Sequence, residues 1–513
     1  MSNEQAEAGV SAPLHSRSLA WGMRWFATAL GTSYAVRFIR GAVLPKLLPP
    51  LQYGLAMSLL LPLGYLRYTD LGVLDQLAKR LPFYRASEGE ERFWRHVSLG
   101  AGWTLGTALL VALGVFVGSF WVSGPKADFY RHGLRLVALL VVAQRCRYLL
   151  TVVLNTREEF RSSQTGGMLS EATTAGFSIL CVALWGPIGM ISAMVLSEIT
   201  VSLYYVKKAG FPALSYAFRP MVAMVREGLL LLSLAAIELM LITVDQFFLL
   251  RFFSVEQYGL YLLGGALANL SEILRVLFEA AQPRILSLTG AGRNDEAKTV
   301  VSSILSLYSL ALVATVGLSV LCTALALRFY LTRYQMGMGL YILMPLMAIT
   351  RGPMTLLRTY YLSKNQERRL ILYEIASLVT MVTMYSLTVL LGWGLVGMAL
   401  SIAGGCGVAS VLMVRQFEGS LWGVLMHFKL YALYVAAALG LVGIYEFWRF
   451  TSQGPKGPIN LMGLFMATLV YGVAMLAVIY FTRSEWQAAL KVVRAQPEPS
   501  KTDASMVLTK IAE

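Results

Sequence analysis

Lysine is absent from every long apolar stretch of this chain, although 43 of its residues are Lys or Arg. The cations inside those stretches are ten arginines: Arg24, Arg37, Arg40, Arg67, Arg135, Arg145, Arg147, Arg275, Arg351 and Arg358. Charge of either sign is scarce, 14 % of residues against about 25 % in a soluble domain. Hydrophobic residues make up 57 % and the mean hydropathy is +0.63, more apolar surface than a soluble core hides. Cysteine is limited to Cys146, Cys181, Cys322 and Cys406, all in apolar stretches and without metal-ligand spacing, which argues against a disulfide framework and a zinc site. The four histidines, His15, His96, His132 and His427, lie in the tail or at span ends, which weakens any intramembrane histidine chemistry. No Gly-x4-Gly-Lys-Ser/Thr loop occurs, so ATP hydrolysis through a P-loop of its own is not expected. No metal or organic cofactor is implied. Nor is nucleic acid, because no basic stretch is interleaved with aromatics in a soluble domain. The first seventeen residues lack the short apolar core and small-residue cleavage site of a signal peptide.

What is present is a series of stretches of about 20 apolar residues, the length that crosses a ~30 Å hydrocarbon core. Their approximate limits are 18–42, 52–73, 97–122, 133–155, 166–185, 187–206, 228–250, 258–282, 300–327, 337–362, 370–391, 394–414, 430–448 and 459–481. Fourteen spans predict an all-α, multi-pass membrane protein with both termini on one side. With the termini inside, the inner segments hold 25 Lys/Arg and the outer loops 8, so both termini are expected to be cytoplasmic. The basic loops face anionic lipid on that side. The largest inner connection, Leu74 to Arg95, sets charges around Leu77, Leu81, Phe83 and Tyr84. It is expected to lie as an amphipathic segment on the membrane surface.

Internal repetition organises the spans. Gln52-Tyr53-Gly54-Leu55 is answered by Gln257-Tyr258-Gly259-Leu260, Ile188-Gly189-Met190 by Val396-Gly397-Met398, and Glu158 by Glu367, at offsets of 205, 208 and 209 residues. Near-constant offsets in the same order predict two pseudo-symmetric six-helix lobes followed by two further helices. The expected layout is a cytoplasmic tail over 1–17, an N-lobe over 18–226, a C-lobe over 227–420, spans thirteen and fourteen within 421–482, and a disordered cytoplasmic tail over 483–513. Parallel repeats of this kind place substrate between them.

A charge at bilayer depth costs roughly 2.5–3.5 kcal/mol on insertion scales and usually faces a wet cavity or an internal partner. Arginine in such a place suits a phosphate, through its planar bidentate fork and a charge it keeps when buried. Arg145, Arg351, Arg358 and Arg275 are the first candidates for contacting an anionic head, with Arg147 close to Arg358 under the repeat offset and Arg24, Arg37 and Arg67 as further lining. Each could instead snorkel to the interface or pair with a carboxylate. Snorkelling is preferred for Arg40 and Arg135 near span ends, and Arg67 has Asp70 three residues on as a local partner. Arg275 is flanked by Glu272 and Glu279, so neutralisation and gating are both open there. Glu238 and Asp245, seven residues apart in the seventh span, are the candidates for coupling to H+ or Na+, or else neutralise a cavity arginine.

The run Leu48-Pro-Pro-Leu-Gln-Tyr-Gly-Leu55, followed by Asp70-Leu71-Gly72, Leu77, Arg80 and Pro82, resembles the opening of polysaccharide-exporting flippases of the Wzx type. Val244-Asp245-Gln246, Ser254-Val255-Glu256-Gln257-Tyr258-Gly259-Leu260-Tyr261 and Gln282-Pro283 extend the resemblance over roughly residues 18–420. It implies the multidrug/oligosaccharidyl-lipid/polysaccharide (MOP) exporter fold. It also implies, as cargo, a polyprenyl-diphosphate-linked glycan moved from inner to outer leaflet of the bacterial cytoplasmic membrane by alternating access. Membrane lipid, a polysaccharide polymerase and other assembly proteins are the implied partners. A lipid II flippase comes second, because the arginine motif expected in its first span is missing. A cation-coupled drug exporter follows, since it would favour an acidic or aromatic cavity. A polymerase or glycosyltransferase comes last, because the outer loops reach only about ten residues and such enzymes generally carry charged groups on a sizeable one. The chain is therefore not expected to be an enzyme.

Overall fold

The computed structural model describes residues 16–66, 68–157, 159–268, 292–344, 347–364 and 366–419, with isolated positions between 282 and 289. The expected spans thirteen and fourteen, both tails beyond these limits, Arg67 and Arg275 lie outside the described residues. Everything described is helix or connection. Seven of the described helices are long and apolar enough to cross a membrane. The chain divides into two compact units, Met1–Leu239 and Met240–Glu513.

The first unit holds α1 (Ser16–Leu47), α2 (Pro50–Leu66), α3 (Val73–Gly118), α4 (Ala127–Thr156), α5 (Phe160–Trp185), α6 (Pro187–Ala209) and the start of α7 (Phe218–Phe252). The expected second span ends seven residues early, at Leu66, because the chain turns there. Leu71 takes a φ of 55° and Gly72 a φ of 80°, and the Asp70 carboxylate accepts the Leu74 N–H at 2.8 Å, starting α3. At Gly72 the backbone meets α7. A Cβ placed on Gly72 would lie 2.5 Å from the Gly228 carbonyl oxygen, and one on Gly228 2.6 Å from that of Gly72. Only two glycines permit so close an approach.

α3 corrects the expectation of a surface-lying segment over 74–95. It is helical from Val73 and breaks at Gly89, whose φ of 82° and ψ of 177° are non-helical, before continuing as a membrane span. The apolar face of its first part is buried on protein rather than lipid. Leu74, Leu77, Leu81 and Phe93 join Val97, Leu149, Leu150, Val153, Tyr205 and Met221 in one core cluster. A second cluster joins Leu59 and Leu63 of α2 to Ala108, Val137, Leu140, Ile191 and Val195. Both follow from large aliphatics at helical spacing on facing helices. Leu109, Leu110, Leu113, Leu180 and Leu184 remain exposed, as lipid-facing residues do. Trp121 and Trp185 are exposed at two helix ends expected to be external, the position of an interfacial aromatic belt.

The second unit holds the rest of α7, α8 (Val255–Ala268), α9 (Asn294–Phe329), a short α10 (Met338–Leu343), α11 (Met347–Ser363), α12 (Glu367–Leu391) and α13 (Gly394–Glu418). The described part of the tenth expected span, 337–362, holds α10 and α11. Tyr308 of α9 packs its ring against Gly352 of α11, and Met381 and Met384 of α12 fill the space beside Gly405 and Gly404 of α13. The hairpin of α5 and α6 in the first unit, joined through Gly186, has its counterpart in α12 and α13, joined by Gly392 and Trp393. The repeated triplets sit at matching turns. Gly189 abuts the carbonyl of Cys181, and Gly397 abuts Thr388. All four cysteines are free, with Cys181 and Cys406 buried.

Candidate functional site: buried charges and a cavity

Within the first unit, a half-open cavity of about 260 Å³ lies between the α2–α3 corner and one face of α4. Leu63, Gly64 and Tyr68 form one wall, Asp70, Leu74 and Asp75 a second, and Gln144, Arg145, Arg147 and Tyr148 a third. The α4 residues fall at helical spacing, so a single face presents all four. Arg145 is 6 % exposed and Asp70 2 %, and their charged atoms lie 3.4 Å apart. Asp70 is fixed from several directions, since its backbone carbonyl also accepts the Trp103 indole N–H at 2.9 Å. The acid expected to pair locally with Arg67 therefore serves Arg145, 75 residues away.

Two more arginine–carboxylate pairs cross between helices of this unit. Arg147 of α4 donates to Glu198 of α6 at 2.5 Å, and Gln144 hydrogen-bonds the same carboxylate. Arg37 of α1 donates through two nitrogens to Glu171 of α5, at 2.8 and 2.6 Å. Glu171 also acts electrostatically on Glu198, so the two pairs form one network. Arg135 lies 4.8 Å over the Phe120 ring and donates to Ser119, an arrangement at the helix end that suits snorkelling. Arg40 lies near the Tyr53 phenol. Arg24 belongs to α1, with its side chain outside the described residues.

In the second unit, Asp245 of α7 is 6 % exposed. One carboxylate oxygen accepts the Tyr261 hydroxyl at 2.9 Å and the other the Gln246 N–H at 2.8 Å. Arg351 of α11 is near enough to act on Asp245 electrostatically, as is the buried Tyr385 of α12. Arg358 pairs with the fully buried Glu374 of α12 at 3.3 Å. Glu238 is half-buried on α7 within the first unit, so the two coupling candidates of one helix belong to different units. Among the described residues, no group of histidine, cysteine and acidic side chains could hold a metal ion.

Sequence reasoning missed Glu171, Glu198 and Glu374 as partners. Their signal is a lone carboxylate inside an otherwise apolar span, as informative as a lone arginine. The arrangement these residues make is a set of guanidiniums answered by carboxylates, two of which, Arg145 and Arg147, line a polar cavity.

No family model matches the chain, and no curated protein matches it in sequence. Solved structures do match in fold. The chain is similar to a lipid II flippase, MurJ, in an inward closed conformation, with a TM-score of 0.69 and 12 % identity over 90 % of this chain and 99 % of that one. It is also similar to an inward-facing multidrug resistance MATE family transporter of the MOP superfamily, with a TM-score of 0.58 and 14 % identity over 78 % and 95 %. A MOP superfamily transporter from Pyrococcus furiosus matches at 0.56 and 14 % identity over 80 % and 96 %. The chain shares its fold with these structures, and its long apolar helices make it a multi-pass membrane protein.

Proposed function

We propose that this protein moves a polyprenyl-diphosphate-linked oligosaccharide from the inner to the outer leaflet of the bacterial cytoplasmic membrane by alternating access, with both termini cytoplasmic. The observation that carries the reading is a guanidinium buried to 6 % exposure, Arg145, carried by an apolar helix long enough to span a membrane and set on the wall of a polar cavity. Burying such a charge is expensive unless polar cargo or a partner answers it. A diphosphate and its sugars cannot cross hydrocarbon unaided, because each unsatisfied polar group there costs several kcal/mol. Arg37, half exposed despite its pairing, and Arg351 and Arg358, both partly buried, are the described arginines best placed to meet the anionic head. Arg24, Arg67 and Arg275 complete the proposed set. The carboxylates already bound to several of these arginines must yield to the cargo or share it.

Proton or sodium coupling is assigned to Glu238 and Asp245. Asp245 supports this best, as a buried carboxylate whose charge is balanced locally by hydrogen bonds and Arg351 rather than by bulk water. An inside-negative potential also favours outward movement of an anion, by about 2.3 kcal/mol per charge per 100 mV, so coupling assists rather than being required. A polymerase and other assembly proteins would take over the cargo outside.

Lipid II is the second reading, since it shares the diphosphate-linked chemistry and a solved flippase for it shares the fold over 90 % of this chain. The test is a leaflet-resolved assay of lipid-linked glycan in cells lacking the protein, restored with wild type, Arg145→Ala or Arg351→Ala. Accumulation of a lipid-linked oligosaccharide on the inner leaflet, cured by wild type and poorly by the variants, supports the first reading. Accumulation of lipid II alone supports the second. A glycan that reaches the outer leaflet normally but stays unpolymerised would return the enzyme alternative.

A further inference from the structure

The cavity walls do not have the charge a diphosphate asks for. Arg145 and Arg147 bring two positive charges, Asp70 and Asp75 two negative ones, and Glu198 already holds Arg147. A ligand with about two negative charges would displace one carboxylate and sit against two more, with their repulsion magnified where water is scarce. A neutral ligand rich in hydroxyls meets no such penalty. Every polar group on the walls suits it. Carboxylates accept from hydroxyls through two oxygens, guanidiniums donate through a planar fork, and the Gln144 amide does one of each. Tyr68 and Tyr148 add phenol rings, apolar enough to meet the C–H face of a pyranose and polar at the tip. The Tyr68 hydroxyl is anchored on the Ala235 carbonyl at 3.2 Å, so one of the two rings is held in place. The volume of 260 Å³ equals about nine waters at ~30 Å³ each, room for one sugar ring.

We infer that this cavity, inside the first unit, is a subsite for a single uncharged sugar residue, recognised by Asp75, Gln144, Arg145 and the two tyrosines, and that the diphosphate of the cargo is bound elsewhere. The inference rests on the flippase reading for the origin of the sugar, though its geometry stands on the cavity alone. Asp70 acts as a positioning residue, since it holds Arg145 while its other oxygen caps α3. Arg147, drawn toward Glu198, closes the far end of the wall.

The test uses the purified full chain in lipid nanodiscs, with saturation-transfer NMR on the methyl glycosides of glucose, galactose and N-acetylglucosamine, and inorganic pyrophosphate as competitor. At least one glycoside is expected to receive transfer from the wild type and to keep it in equimolar pyrophosphate. Tyr148→Ala and Gln144→Ala should each reduce that transfer at least fivefold, while Tyr148→Phe retains it. Thermal melting of each variant establishes that it is folded. Three outcomes overturn the inference: no transfer to any glycoside, displacement of the glycoside by pyrophosphate, or equal transfer in Tyr148→Ala. The leaflet assay separates the two proposals. A protein that flips lipid-linked glycan yet binds no glycoside here loses the subsite and keeps the function. One that binds a glycoside here but flips no lipid-linked glycan loses the function and keeps the subsite.

Discussion

Arg145 and Asp70 are each tolerable in the membrane interior because the other is there. Removing one partner of a buried pair costs about 3–5 kcal/mol, since the survivor stays charged and dry, and Arg145→Ala should lower the melting temperature accordingly. Asp70→Asn should cost less, about 1–3 kcal/mol, because an amide oxygen still caps the Leu74 N–H and Arg145 opens on the cavity. A ranking in which Asp70→Asn is the worse of the two would refute that account. Glu198→Gln takes the counter-charge from Arg147 in a partly buried pair and should cost about 1–3 kcal/mol, read as a fall in melting temperature. At this scale the arginines were legible in the sequence and their partners were not. Asp70 sits three residues from Arg67, yet the turn at Leu71 and Gly72 carries it to Arg145. Such a choice depends on where the chain reverses and on helical phase, which spacing alone leaves free.

The corner between α2 and α3 is where a local conformation governs the placing of whole helices. Gly72→Ala meets both a left-handed backbone and the Gly228 carbonyl, and should destabilise the protein by more than about 2 kcal/mol. Gly89 also has a positive φ, but nothing lies within 4 Å of its missing Cβ. Gly89→Ala should therefore cost the backbone strain alone, about 1–3 kcal/mol, and thermal melts of the two variants side by side should show the smaller loss there. Most elements could be read from runs of apolar residues, because a membrane span is long enough for composition to suffice. Where polar and apolar residues mix, as over 74–95, the pattern showed an apolar face and gave no means of telling lipid from protein as its cover. The answer came from Leu77 and Leu81 packing on Phe93, Leu150 and Tyr205.

On the scale of the whole molecule, one of the three short matches, Ile188-Gly189-Met190 with Val396-Gly397-Met398, lies in two hairpins of the same build, one in each unit. Neither unit carries its charges in the same way. The first pairs them across α1, α4, α5, α6 and the α2–α3 corner, whereas the second, beside its Arg358–Glu374 pair, groups Arg351, Asp245 and two buried tyrosines around α7, α8, α11 and α12. If ion coupling resides in that group, Asp245→Asn should leave proteoliposome transport insensitive to an imposed proton or sodium gradient, while transport driven by membrane potential persists. Gradient dependence that survives the substitution would move coupling away from Asp245.

The four free cysteines also bear on how the protein can be studied. Cys181 and Cys406 are sealed in the interior, Cys146 is partly covered, and Cys322, though exposed, lies on an apolar span. A membrane-impermeant maleimide stays in water, away from thiols buried in the protein or carried on an apolar span. The unaltered chain is therefore already a quiet background for membrane-impermeant maleimides. A single reporter cysteine introduced at Ser215, in the link between α6 and α7, would show which side of the membrane that link faces without any native thiol being removed.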